Sequence, residues 1–159
     1  MRRKDREVTD FQEIIAIMEK CDVCRLGLND GDYPYILPLN FGLEVQEGKA
    51  TLYFHSALEG HKLELFQRNS HVSFEMDCMH KLEYFPEKGY CTMSFASVMG
   101  RGRIRILEEE EKAPALQKLI EHYRPDAQFN HAAIPRTLVY ALDVEEMTCK
   151  HKKPKKERN

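Results

Sequence analysis

The chain of 159 residues contains no tryptophan, and none of its apolar runs approaches the ~20 residues that a membrane-spanning helix needs. No apolar stretch follows its basic start, so we expect no signal peptide and a cytoplasmic protein. No internal repeat or clear linker divides the chain, and a hydrophobic content of 42% is enough for one core. The sequence therefore predicts a single domain over residues 1–149, followed by a short tail.

The body of the chain also lacks an excess of positive charge. The formal net charge is −2, from 24 basic and 26 acidic residues. The two basic ends, residues 1–7 and 150–159, leave the middle with 14 basic and 23 acidic residues, a net of −9. An acidic body argues against a nucleic-acid surface spread across the domain. We expect residues 150–159 to form a disordered, solvated tail; the alternative is contact with RNA or anionic lipid.

The five cysteines are an odd number, which favours reduced thiols over a disulfide framework. Cys21 and Cys24 form a CxxC pair, which with Cys78 and His80 could supply four ligands to zinc. The pair could also be a redox dithiol if Cys21 were activated. A second CxxC, which would favour zinc, is absent, and Cys24 also begins an apolar strand in which a buried cysteine is ordinary. We therefore predict no metal site.

Hydrophobic periodicity predicts an α+β protein built on an antiparallel barrel. Helices are expected from the N-cap Thr9, with Gln12 completing a capping box, to near Lys20, then at 60–68, and from Glu108 to near Tyr123. Strands are expected at about 23–29, 33–42, 49–55, 72–77, 90–107 and 137–144. Residues 78–93 are the least readable part of the sequence, and residues 81–89 look like a loop or a short excursion. Gly100 and Gly102 indicate a bulge in the long strand or a close approach by a ligand.

Residues 52–62 are the most informative segment of the sequence. An apolar strand runs into His55-Ser56, turns at Gly60 and starts a helix on His61-Lys62. Hydroxyl and basic groups beside the unsatisfied N–H groups of a helix start are what a phosphate needs. Upstream, Pro38 interrupts another apolar strand and predicts a sheet edge or a bulge, where backbone faces a ligand. Taken alone, the pattern also fits a capping serine and a solvated lysine.

Several short pieces of the chain share an order with one known superfamily. They are Met1-Arg2-Arg3-Lys4-Asp5-Arg6-Glu7, Leu26-Gly27-Leu28, Asp30-Gly31, Pro34-Tyr35, Pro38-Leu39-Asn40-Phe41-Gly42, Tyr53-Phe54-His55-Ser56-Ala57, Gly60-His61-Lys62, Asn69, Val72-Ser73-Phe74-Glu75 and Ser97-Val98-Met99-Gly100-Arg101-Gly102. In this order they resemble the pyridoxamine-phosphate-oxidase-like split barrels, and within them the Nim-type nitroimidazole-resistance proteins. The resemblance covers nearly the whole chain apart from the basic tail.

The resemblance implies an FMN-binding split β-barrel that forms a homodimer, with two FMN sites at the interface built from both subunits. It also implies that the strand Tyr35, Leu37, Pro38, Leu39 and Asn40 lines the flavin ring. By the same likeness, His55, Ser56, His61 and Lys62 surround the phosphate, and Ser97 contacts the flavin.

The chain departs from the oxidase pattern at several positions. Tyr35 and His61 stand where the oxidase has arginines, Asn40 stands where it has a lysine, and its later tryptophan has no counterpart. We therefore do not expect oxidation of vitamin B6. FMN binding is still expected, with fewer permanent cations on the phosphate.

The sequence does not identify catalytic residues. It contains neither a legible Ser-His-Asp or Cys-His constellation nor paired carboxylates at a catalytic spacing. Flavin enzymes need few such groups, because the isoalloxazine carries the electron chemistry. Two hypotheses follow. The protein is either a flavin-dependent reductase of a small electron-poor acceptor such as a nitroaromatic, with NAD(P)H as donor, or a non-enzymatic sensor or store of FMN or of haem held by His55, His122 or His131.

Overall fold

The structure is a computed structural model that describes residues 2–155, except for the side chain of Ala133. Its helices are α1 (Phe11–Met18), α2 (His61–Arg68) and α3 (Glu109–Tyr123). Its strands are β1 (Glu7–Val8), β2 (Cys24–Asp30), β3 (Tyr33–Leu39), β4 (Gly42–Gln46), β5 (Lys49–Ser56), β6 (His71–Phe85), β7 (Tyr90–Ile106) and β8 (Leu138–Lys152). The predicted α+β class is confirmed. Within the described residues, no helix has the length and apolar character of a membrane span.

The strands form one sheet in the order β3-β2-β6-β7-β8-β5-β4, with β1 added beside β8. Every pairing is antiparallel. The two ends of this order, β3 and β4, are consecutive in the chain, and only Asn40 and Phe41 separate them. The two edges therefore approach each other there, and the sheet curls into a barrel that stays split along them.

Most inward side chains of the strands form one hydrophobic core, while Val139 and Ala141 of β8 form a second cluster with Leu116 of α3. On β2 the alternation is complete, since Cys24, Leu26 and Leu28 are buried while Arg25 is exposed. Burial of a large apolar side chain contributes about 1.5–3 kcal/mol, so this alternation fixes which face of each strand turns inward. One side of α1 adds to the same core through its buried residues Ile14, Ile15, Ile17 and Met18.

Helix α3 closes the barrel beside β4. A Cβ atom on Gly42 would lie 2.6 Å from the backbone nitrogen of Leu119, so only glycine allows the helix to pack this closely. The helix begins with a capping box between Glu108 and Glu111, and it ends at Tyr123, two residues before the predicted stop at Pro125.

The structure corrects the predicted start of α1. Asp10, not Thr9, is the N-cap, and its carboxylate accepts a hydrogen bond from the backbone N–H of Glu13 at 2.8 Å. Threonine and aspartate are both good N-caps, so residue type alone does not choose between Thr9 and Asp10. Thr9 instead lies outside the helix, just after β1.

Residues 81–89 form a short excursion of paired strands rather than a loop. Strands β6 and β7 continue through this segment, and residues 81–85 pair with residues 90–94 in a two-stranded ribbon, here called the arm. Its turn is a short 3₁₀ segment, Pro86–Lys88, closed by Gly89 in the left-handed conformation.

The last strand is longer than predicted. Strand β8 runs to Lys152, beyond the boundary expected at residue 149, and residues 156–159 of the predicted tail lie outside the described part of the chain. The register of β7 and β8 shifts between Arg101 and Gly102, where a methyl on Gly102 would overlap the Asp143 carbonyl oxygen. The bulge predicted around Gly100 and Gly102 is confirmed at Gly102.

Candidate functional site

The start of α2 presents free backbone donors. Gly60 is the N-cap with φ +134°, and it provides no side chain to cap the helix. The N–H of Leu63 bonds to the Gly60 carbonyl at 3.0 Å, which leaves the N–H groups of His61 and Lys62 directed out of the first turn. The geometry is suited to an anion, because the helix dipole adds partial positive charge at the same point.

Lys62 folds back over this helix start. Its Nζ lies 3.3 Å from the position that a Cβ on Gly60 would occupy. Any side chain at residue 60 would crowd that space. Among the described residues Lys62 has no ion-pair partner, so its charge is available to a ligand. The ammonium, the glycine and the free N–H groups together form a cradle that a phosphate fits.

Both ring nitrogens of His61 lie within hydrogen-bonding distance of carboxylates of the protein. Its Nε2 lies 2.7 Å from Asp30 Oδ2 and its Nδ1 lies 3.3 Å from Glu64 Oε2. These carboxylates, Asp30 first, raise the pKa of His61. The ring also meets Tyr35 edge-on, with centroids 5.4 Å apart. His61 therefore ties the β2–β3 turn to α2, a role that sequence reasoning missed because Asp30 had been assigned only to a turn.

Ser56, at the end of β5, lies beside an unsatisfied hydroxyl. The Tyr140 side chain is fully buried, and its Oη has no hydrogen-bond partner among the described residues. Burial raises the pKa of Tyr140, while the nearby Ser56 hydroxyl opposes that shift. Ser56 itself donates to the Ala57 carbonyl at 3.1 Å. Rotation of the Ser56 hydroxyl toward a ligand would leave its oxygen as an acceptor for Tyr140.

His55 precedes Ser56 and differs from His61 in its surroundings. The His55 side chain is exposed, yet the surrounding protein desolvates its ring enough to lower the pKa of His55. Strand alternation turns it away from Phe54 and Ser56. His55 is thus near the cradle along the chain but points to the opposite face of β5 from Ser56.

Strand β3 is an edge strand, as Pro38 predicted. Tyr35, Leu37 and Leu39 are half-buried against the core, while Pro38 is exposed. Asn40 follows the strand, and its Nδ2 donates to the Asp22 carbonyl at 3.2 Å. The residues predicted to line the flavin ring therefore extend along one sheet edge, from Tyr35 beside the cradle to Asn40 at the far end.

Ser97 lies apart from the other predicted residues. It sits on β7 between Asp77 of β6 and Lys150 of β8, and two strands, β2 and β6, separate it from β3. Its neighbours Ala96 and Val98 are fully buried, so Ser97 faces outward. One chain does not bring Ser97 to the cradle.

Four of the five cysteines are core residues, whereas Cys91 is exposed. Cys21 and Cys78 both donate to the Ile17 carbonyl, at 3.4 and 3.7 Å, and burial raises the pKa of each thiol. Cys24 is fully buried as well. His80, the fourth ligand weighed for zinc, lies 2.7 Å from Asp77 Oδ2 instead. Within residues 2–155 no group of three or more metal-ligating side chains is assembled.

The histidines considered for haem have different environments. His122 Nε2 donates to the Cys21 carbonyl at 2.7 Å, and its ring packs on Phe41 with centroids 4.3 Å apart. His131 is exposed and meets Phe129 edge-on. His122 is therefore held as a structural contact between α3 and the start of β2.

The comparisons with known proteins agree with this architecture. A family model described as pyridoxamine 5'-phosphate oxidase matches residues 10–151. The chain is similar to the crystal structure of a candidate 5-nitroimidazole antibiotic resistance protein from Bacteroides thetaiotaomicron, with 35% identity and a TM-score of 0.79 over 91% of this chain and 85% of that chain. A search of curated proteins finds no match.

Two more distant structures share the fold. One is an FAD and haem binding protein from Mycobacterium smegmatis, with 13% identity and a TM-score of 0.79 over 94% of this chain and 74% of that chain. The other is a flavocytochrome from Azotobacter vinelandii, with 20% identity and a TM-score of 0.77 over 97% of this chain and 72% of that chain. The split barrel, the order of its motifs and the family match agree, and the chain belongs to the pyridoxamine 5'-phosphate oxidase family.

Proposed function

We propose that the protein binds FMN, with the phosphate in the cradle at the start of α2. The observation that carries the proposal is the ammonium of Lys62, which lies over Gly60 and has no ion-pair partner among the described residues. Ser56 supplies a hydroxyl from the end of β5. The buried Tyr140 hydroxyl has no hydrogen-bond partner among the described residues and could orient the Ser56 hydroxyl. His61 contributes positive charge through its raised pKa, although Asp30 and Glu64 already balance that charge.

The flavin ring would lie along the edge strand β3. Half-buried Tyr35, Leu37 and Leu39 give this edge an apolar character, and Pro38 removes one backbone donor from it. An edge strand leaves N–H and C=O groups free to bond the polar rim of a ligand. The residues present therefore fit the group that the family implies.

We further propose that the protein is a flavin-dependent reductase of a small electron-poor acceptor, such as a nitroaromatic, with NAD(P)H as the electron donor. Bound FMN would supply the electron-transfer chemistry, and the protein would position it and limit water at the ring. The similarity to a candidate 5-nitroimidazole resistance protein supports this substrate class. Anaerobic mixing with NADPH and then with a nitroimidazole, followed by flavin absorbance, tests the activity.

A homodimer is the third part of the proposal. Ser97 faces outward on β7, two strands away from β3, so it could reach a flavin only on a neighbouring copy. A ligand held between two copies would stabilise the dimer by mass action. Light scattering with and without FMN should show a mass near twice 18.7 kDa and tighter association with FMN.

Calorimetric titration with FMN and with riboflavin tests the phosphate anchor. We expect FMN to bind more tightly than riboflavin, because only FMN carries the phosphate. Equal dissociation constants would refute the cradle as a phosphate site.

Substitution of Lys62 sharpens this test. Lys62→Ala should weaken FMN by about 1.5–3 kcal/mol, the range for a hydrogen bond to a charged group, or roughly ten- to 150-fold. Riboflavin affinity should hardly change. Arg68→Ala, at the other end of α2, is the control and should leave both affinities unaltered. An unchanged FMN constant in Lys62→Ala would mean that Lys62 is only a solvated first-turn residue.

A further inference from the structure

The ring of His61 lies between two carboxylates at the start of α2. Its Nε2 lies 2.7 Å from Oδ2 of Asp30, at the end of β2, and its Nδ1 lies 3.3 Å from Oε2 of Glu64, one turn further along α2. An ionised carboxylate can only accept a hydrogen bond, and a neutral imidazole has a single N–H. Both contacts can therefore be hydrogen bonds only when both ring nitrogens carry a proton. The arrangement is that of a protonated His61.

Asp30 depends on this proton more than Glu64 does. Glu64 also pairs with Arg68 at 3.7 Å, whereas among residues 2–155 Asp30 has no ion-pair partner other than His61. Tyr35 of β3 meets the His61 ring edge-on and adds no charge to it. The contact between Asp30 and His61 therefore joins the end of β2 to the first residue of α2.

The proton on His61 also sets the charge beside the cradle. Lys62 contributes one positive charge, and it has no ion-pair partner in the described part of the chain. While His61 is protonated, these two cations balance the carboxylates of Asp30 and Glu64. When His61 is neutral, the carboxylates outnumber the cations by one. Opposite charge nearby favours an anion and like charge disfavours it, so the neutral state is the poorer phosphate site.

His61 is the group at the cradle whose charge can change near neutral pH. The hydrogen bonds to its carboxylates, Asp30 first, raise the pKa of His61 above 6.5, so the ring keeps its proton to a higher pH than an isolated histidine does. His55 is close in sequence, but it points to the opposite face of β5, and burial lowers its pKa. A change of charge at the cradle on the alkaline side is therefore a property of His61.

We propose that Asp30, acting through His61, makes the cradle a pH-sensitive phosphate site that weakens when His61 loses its proton. The proposal rests on the FMN site proposed above and adds a regulation of that site. Asp30 is a positioning residue, because it acts through the ring and not by touching the phosphate. It holds the proton on His61, and it holds the start of α2, whose N–H groups form part of the cradle.

Two ionisations bound the pH range in which FMN should bind most tightly. A phosphate monoester gains its second negative charge near pH 6, so binding should strengthen as the pH rises through about 6. As the pH passes the raised pKa of His61, binding should weaken again, because the phosphate favours the protonated ring and binding must then take up a proton. Riboflavin has no phosphate, so its affinity should follow neither change.

Calorimetric titration with FMN and with riboflavin from pH 5 to pH 9 tests the proposal. In the wild type the FMN dissociation constant should rise roughly tenfold on the alkaline side, the effect of losing one charge-assisted contact. In Asp30→Asn the rise should begin at a lower pH, because His61 loses the partner that holds its proton. Asp32→Asn makes the same chemical change on an exposed side chain in the same turn, and it is the control that should keep the wild-type profile.

A variant without the titrating ring separates the two sides of the profile. His61→Gln should abolish the weakening on the alkaline side, while the strengthening near pH 6, which belongs to the ligand, should remain. Alkaline weakening that persists in His61→Gln, or that Asp30→Asn does not move, would overturn the proposal. FMN that binds no more tightly than riboflavin at any pH would instead refute the phosphate site itself.

Proton uptake gives a second readout that needs only the wild type. Titrations near pH 9 in buffers of different ionisation enthalpy measure the protons that are taken up when FMN binds. We expect a net uptake of up to about one proton with FMN and none with riboflavin. Zero uptake with FMN, in protein that binds FMN more tightly than riboflavin, would overturn the pH dependence while leaving the FMN site in place.

Discussion

The barrel body and the arm use the same antiparallel pairing but differ in what covers it. In the body, Leu52 and Phe54 of β5 are fully buried by neighbouring strands and helices. In the arm, Leu82 and Tyr84 of β6 are more than half exposed, although their backbone pairing with β7 is just as regular. Hydrogen-bonded pairing is therefore not what separates the two regions. Apolar burial stabilises the body within one chain, whereas Leu82 and Tyr84 of the arm stay exposed.

The largest expected effect contrasts one side chain from each region. Phe54 is fully buried and stacks on Tyr140 with centroids 5.5 Å apart, so Phe54→Ala should destabilise the protein by about 3–5 kcal/mol. Leu82→Ala should change the unfolding of the monomer by less than about 0.5 kcal/mol. Urea unfolding at low protein concentration, where monomers prevail, measures the free energy of unfolding of both variants. Similar losses in the two variants would mean that the arm is buried within a single chain.

Two glycines provide the next contrast. Gly102→Ala should cost about 2–3 kcal/mol, because the new methyl would overlap the Asp143 carbonyl oxygen in the body. Gly89→Ala, at the arm turn, should cost about 1 kcal/mol, because its φ is +63° but no atom lies within 4 Å of the new Cβ. Thermal unfolding of the Gly102→Ala and Gly89→Ala variants measures the stability that each one loses. Gly27→Ala, whose nearest contact would be 3.9 Å with ordinary φ, is the control and should cost less than Gly102→Ala.

The face of the arm that Lys155 covers gives a smaller and local effect. Glu83→Ala removes the acceptor of the Lys155 N–H, and a lost hydrogen bond to a charged group costs about 1.5–3 kcal/mol of local stability. Hydrogen exchange should therefore accelerate in residues 81–94 while the body strands keep their protection. Glu87→Ala, on the arm turn, is the matched control. Uniform acceleration throughout the sheet would show that the arm and the body unfold as one unit.

The smallest effect contrasts two histidines of the body through pH. Asp30 and Glu64 raise the pKa of His61 from 6.5, so the folded state binds this proton more tightly. That stabilisation is complete below pH 6.5 and is lost as the pH rises through the raised pKa. Burial lowers the pKa of His55 from 6.5, so its effect has the opposite sign, and stability is lost as the pH falls below 6.5.

Ring-proton NMR titration checks both directions. Asp30→Asn should bring the pKa of His61 down toward its ordinary value and leave that of His55 unchanged, because Asp30 bonds only the first of these rings. A His61 titration that does not respond to Asp30→Asn would contradict the ion pair. The outcome also indicates how much positive charge His61 offers to an anion.

Much of the barrel could be predicted from the sequence because burial imposes a period of two on its strands. Cys24, Leu26 and Leu28 alternate with polar or small residues, and the strand they predicted is present. Pro38 correctly indicated the sheet edge, and Gly102 correctly indicated a bulge. The arm was missed because Glu83 is buried at a position where a carboxylate normally faces water. Only its contact with residue 155, distant in sequence, explains that burial.

The candidate site likewise has parts that could be predicted from the sequence and parts that could not. Its chain-local parts, Ser56 and the Gly60-His61-Lys62 helix start, were visible in the sequence because a strand end and a helix start are local structures. Their partners were not visible. Asp30 reaches His61 from another hairpin, and Tyr140 reaches Ser56 from a strand more than eighty residues later in the chain.

By itself the sequence determined the class of fold, the edge strand and the helix start at residues 60–62, because hydrophobic period, proline and glycine act on their immediate neighbours. Only the tertiary structure decided that His61 is held by Asp30, that Lys62 remains unpaired among the described residues, and that one face of the arm is left uncovered. These features depend on contacts between segments far apart in the chain. Their energies come from desolvation and charge pairing at the contact, which local residue patterns do not encode.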